Sequence, residues 1–122
     1  GAPPRITLKR ITTMKTFTIK DITWTMSDHL ISRMVERGID ELDIKCAILY
    51  GKLCKSVEDA TATLTISKID PNDYDGQMTN YGTVATHIIV VHKKNAFGPG
   101  REILTTYYAD RNNSKVLYNM GK

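Results

Sequence analysis

His29, Arg33 and Arg37 follow one another at intervals of four residues. On a helix that spacing stacks the three side chains along a single stripe. Histidine is the side chain best placed to move a proton near neutral pH. An arginine one turn away can hold a phosphate through two N–H bonds and stabilise charge developing on it. Together these groups suit cleavage of a phosphodiester without a metal, with the RNA 2′-hydroxyl as internal nucleophile. The same residues also fit an ordinary solvated helix face on which Glu36 pairs with a neighbour.

The stretch Ile103-Leu104-Thr105-Thr106-Tyr107-Tyr108 is a second ingredient. Strict alternation places Ile103, Thr105 and Tyr107 on one face and Leu104, Thr106 and Tyr108 on the other. Either face offers a hydroxyl beside a phenol, groups that bind phosphate oxygens or stack a base. Threonine and tyrosine are also favoured strand residues, so the choice between chemistry and structure stays open, as does which tyrosine enters a cleft. Lys93 and Arg101 flank the loop before this strand and could draw in RNA electrostatically.

Other chemistries lack their signals. No phosphate-cradling G-x-x-x-x-G-K-[ST] or G-x-G-x-x-G occurs, no H-E-x-x-H and no G-x-S-x-G. His87 and His92, five apart on one strand, fall on opposite faces and cannot share a metal. No cofactor or metal is expected. Cys46 and Cys54 are too few for a disulfide framework or a four-thiolate zinc site. Cys46 lies in an apolar helical run and is expected to be a buried free thiol.

The elements that would position these groups can be read from pattern. Residues 27–37 form an amphipathic helix, capped by Ser27 or Asp28 and stopped by Gly38, with Leu30, Ile31, Met34 and Val35 on its apolar side. Asp40, with Asp43 three residues on, starts a second helix that ends at Gly51. Its apolar residues on most sides predict that it is buried. Thr16–Lys20 alternates and could be a short strand, and Trp24 is expected in the core. The period then changes to two. Strands are expected at 52–57, 61–69, 84–93, 102–108 and 115–120, with a dense turn cluster at 70–76. The expected fold is α+β, with N-terminal helices packed on one face of an antiparallel sheet of about four strands.

The length of 122 residues predicts one domain, 14–122, after a Pro-containing, basic lead-in or linker at 1–13. The net charge of +4 owes three cations and no acid to that lead-in; without it 14 cations face 13 acids. A whole-chain case for nucleic acid from charge is therefore weak, and clustered arginines carry more. No apolar run is long enough to cross a membrane.

The run H-x3-R-M-x2-R-G-I from His29 to Ile39, with the late strand Ile103–Tyr107, resembles a bacterial family of small domains of unknown function. That family is grouped with the barnase–EndoU–colicin–RelE superfamily of metal-independent ribonuclease toxins. The likeness covers roughly residues 26–51 and 84–108. It implies that His29 is the acid/base, that Arg33 binds the scissile phosphate and that Arg37 supports it or contacts the backbone. It implies that Thr105 and Tyr107 face them from the sheet, with Lys93, Arg101, Thr106 and Tyr108 as further RNA contacts. Tyr108 departs from the basic residue of some relatives. The resemblance implies an endoribonuclease toxin acting on RNA, tRNA included, in a bacterial cytoplasm, free or delivered as a C-terminal module. It further implies an acidic immunity or antitoxin partner. The alternatives are a binding module for nucleic acid or protein, in which His29 is incidental, and an immunity-type protein with residues 61–69 as an interface edge.

Overall fold

Phe17 and Trp24 face each other across a tight hairpin, and that hairpin opens the fold. The computed structural model describes residues 15–70, 72 and 76–121; the expected lead-in at 1–13 and much of the 70–76 turn lie outside them. Strands β1 (Lys15–Ile19) and β2 (Ile22–Met26) pair antiparallel, and Phe17 stacks on Trp24 at 6.5 Å between ring centroids. Helices α1 (Asp28–Arg37) and α2 (Glu41–Tyr50) follow. Then come β3 (Lys52–Lys55), β4 (Thr63–Lys68), β5 (His87–Lys94) and β6 (Arg101–Ala109), and last α3 (Ser114–Met120).

All six strands share one sheet in the order β1-β2-β6-β5-β4-β3. The β2–β6 pairing is parallel and the rest are antiparallel. The protein is therefore α+β with a six-stranded mixed sheet. This overturns the expected four-stranded antiparallel sheet with helices first. The N-terminal hairpin precedes the helices and returns to pair with β6, which a reading of consecutive hairpins could not reveal. The helices are not confined to one face either. Leu30, Met34, Ile39, Ile44 and Ala47 pack with Ile88, Val90 and Ile103 on one side, whereas Val116 and Met120 pack with Leu64, Ile66 and Ile89 on the other.

The helix ends follow local chemistry. Ser27 accepts the Leu30 N–H, and Gly38 closes α1 with φ 68°, a backbone setting that glycine adopts without strain. Asp40 and Asp43 form a reciprocal capping box on α2. Other expectations need correction. Leu42, Leu49 and Tyr50 are exposed, so α2 is half-solvated; Cys46 is exposed and Cys54 is the buried thiol. Val35 is 77% exposed. Residues 115–120 are helix, because Asn113 caps Lys115 and Val116 seats in the second core. β4 lies between β5 and β3, so it offers no interface edge.

Candidate functional site

β6 pairs with β5 along its length but with β2 only at Arg101 and Glu102. Beyond Glu102 no strand covers its outer edge among the described residues, and α1 packs there. Arg37, at the last turn of α1, donates from Nη1 to the Thr106 carbonyl at 2.8 Å and to Thr105 Oγ1 at 3.2 Å. A guanidinium thus stands where a neighbouring strand's N–H would be, and a carbonyl that would otherwise be orphaned is satisfied. This contact joins the two sequence motifs. His29 and Arg33 ride the same helix exposed to solvent, with Arg33 reaching Glu36 at 3.3 Å.

The β6 register skips one residue. Val91 faces Thr105 while His92 faces Ile103, so Leu104 bulges out. Strict alternation fails there. Ile103 shares the α1–α2 face with Tyr108, while Tyr107 packs in the core on the α3 face. Tyr107 consequently turns to the α3 face, away from the helix stripe, whereas Thr105 meets Arg37 of that stripe at the edge. Thr106 is fully buried, and its hydroxyl donates to the Ile89 carbonyl at 2.9 Å. The Tyr108 hydroxyl donates to the Gly38 carbonyl at 3.4 Å. Both therefore serve the frame.

The Tyr107 phenol oxygen is buried, and the polar group that serves it is the Lys115 ammonium. The Lys115 ammonium lies over its ring, 5.6 Å from the centroid, and 3.4 Å from Glu58. Burial works against the charge on Lys115, but Tyr107 and Glu58 outweigh it and hold the amine above its ordinary value.

Sequence patterning missed a buried polar cluster centred on a histidine. His92 is only 1% exposed. Arg101 Nε donates to its Nδ1 at 2.8 Å, so the ring proton sits on Nε2 and is donated to Thr65 Oγ1, also at 2.8 Å. Arg101 Nη2 donates to Thr63 Oγ1 at 3.2 Å, and the Trp24 ring meets the imidazole edge-on. Burial, then the Arg101 charge, drives the His92 pKa down to about 4. This buried His/Arg/Thr cluster has the hydrogen-bonded form of a catalytic-type centre. It also engages Arg101 internally, so that residue is not a free RNA contact. Lys93, on β5, is partly exposed and stands opposite Glu102 of β6. The one available signal was a histidine and an arginine on either side of a hairpin loop. Thr63 and Thr65 come from a third strand that no local pattern connects to them.

The far end of β6 is held by a polar chain. Thr79 Oγ1 and Thr83 Oγ1 lie 2.6 Å apart, and the Thr83 hydroxyl donates to Asp110 Oδ2 at 2.7 Å. That hydroxyl and then the Asn112 N–H keep Asp110 below the usual carboxylate range. No group of three His, Cys, Asp or Glu side chains among the described residues could hold a metal ion, and no described helix is long and apolar enough to cross a membrane. No family model, curated protein or solved structure matches the chain.

Proposed function

We propose that the protein is a metal-independent endoribonuclease of the toxin type, working at the open edge of β6. The observation that carries this reading is the Arg37 contact with Thr105 and Thr106, which joins two motifs 68 and 69 residues apart. Nη1 is occupied there; the other N–H groups of Arg37 have no partner among the described residues. They are available to a phosphate, as is the exposed Arg33 one turn earlier. His29, a further turn back, takes the proton from the 2′-hydroxyl. The 2′-oxygen attacks phosphorus, the 5′-oxygen leaves and takes its proton from water, and a 2′,3′-cyclic phosphate remains. A cell that makes such an enzyme needs a protein inhibitor, and an acidic one would match the arginines.

The exposure of His29 and Arg33 favours a second reading, a nucleic-acid-binding module in which the helix grips phosphates and cuts nothing. One experiment separates the two. Purified protein is incubated with total RNA and excess chelator, beside His29→Ala and Arg33→Ala. Discrete fragments ending in cyclic phosphate, absent from both folded variants, are expected. Intact RNA at every pH tried, from protein shown to be folded, would leave only the binding reading.

A further inference from the structure

Directly past Tyr107 on β6, a cleft of about 570 Å³ opens between the hairpin at 77–85 and the start of α3. We propose that this cleft binds one nucleobase of the RNA and makes cleavage base-selective. The inference rests on the ribonuclease reading above for its biological meaning, and on the cleft's own chemistry for its ligand.

The volume is that of a small-molecule site. Its lining is unusually rich in groups that read bases. Asn80 and Asn112 both line it, and neither side-chain amide has a hydrogen-bond partner among the described residues. An amide presents a donor and an acceptor side by side, the pattern a base edge requires. Tyr81, at the hairpin tip, is 90% exposed. A free aromatic face beside such a cleft is a stacking platform. On the inner wall the buried Tyr107 phenol and the Lys115 ammonium lie together.

The walls are held before any ligand arrives. The Thr79–Thr83–Asp110 chain ties one wall to the other, and Asp110 also accepts the Asn112 N–H at 2.8 Å. A rigid site loses little freedom on binding. Its position also fits. Thr105, where Arg37 is docked, and Tyr107 are two residues apart on one strand, about 7 Å.

The test is an amide NMR titration of the whole chain with the four ribonucleoside 3′-monophosphates and with inorganic phosphate. At least one nucleotide is expected to move the signals of Tyr81, Tyr107 and Asn112 saturably, with the four bases unequal and inorganic phosphate without effect at those positions. Tyr81→Ala should weaken that binding roughly tenfold. Asn112→Ala should level the differences between bases while the fold, read from the same spectra, is kept. Shifts confined to other residues, equal response to all four nucleotides, or an equal effect of phosphate alone would overturn the proposal. The two readings fail separately. Base-selective binding at the cleft with no RNA cut by wild type sinks the ribonuclease and keeps the base site. Cleavage whose base preference is unchanged in Asn112→Ala sinks the base site and keeps the ribonuclease.

Discussion

His92 stays uncharged because its dry surroundings and the adjacent Arg101 both oppose a second ring proton. The unfolded chain, by contrast, takes that proton near pH 6.5. Between pH 6.5 and about 4 the unfolded state binds more protons, so stability is complete above pH 6.5 and falls as pH drops toward 4. The loss should reach about 3 kcal/mol, at about 1.4 kcal/mol per pKa unit. Urea unfolding at pH 7 and pH 4 checks it. His92→Gln should be less stable at pH 7 but lose less on acidification; equal losses would refute the assignment. Arg37 makes a different prediction. Arg37→Ala should cost about 2 kcal/mol, the worth of a charge-assisted bond to a carbonyl, whereas His29→Ala, at an exposed position, should cost under about 0.5 kcal/mol while abolishing any cleavage. The His29/Arg33/Arg37 stripe was legible because helical spacing alone defines it. The His92 cluster was not, because its partners come from three strands and a bulge at Leu104 resets the register beside it.

Caps are written locally and could be read: Ser27, the Asp40–Asp43 box and Gly38 each depend on neighbours within four residues. Short elements that depend on remote partners were harder. Residues 115–120 alternate like a strand yet form α3, because the Asn113 cap and the seat for Val116 decide the matter. β2 was hidden for the same reason: its partner on the far side is β6, and only two register pairs join them. That junction has an identifiable weak point. Gly100 lies at φ 97°, and a Cβ there would come within 2.6 Å of the Thr23 carbonyl. Gly100→Ala should therefore cost about 2 kcal/mol through backbone strain and collision. Hydrogen exchange should show faster exchange in β1 and β2 than in β4 and β5. Uniform acceleration across the sheet would mean that the hairpin is not separately held. Asn113→Ala should remove about 1 kcal/mol through α3 alone, measured by thermal unfolding.

The whole molecule depends on that hairpin more than its two register pairs suggest. Phe17, Trp24 and Met26 are buried among the residues of α1, α2 and the central strands. Deleting large core side chains costs about 2–5 kcal/mol each, against a total of about 5–15 kcal/mol for a domain. A chain shortened to begin at Ser27 should show no cooperative melting transition by circular dichroism; a sharp transition would show that the remaining strands suffice. The same arrangement has a consequence in time. β2 leaves the ribosome long before β6, and Trp24, already paired with Phe17, finds its second strand partner only when Arg101 has been made. At ~5–20 residues per second the wait is roughly ten seconds. For that interval the outer edge of β2 has no strand to pair with, and contacts so distant along the chain form slowly even afterwards. Folding is thus held back until synthesis of the sheet is nearly done, which gives a chaperone its opening on the nascent chain.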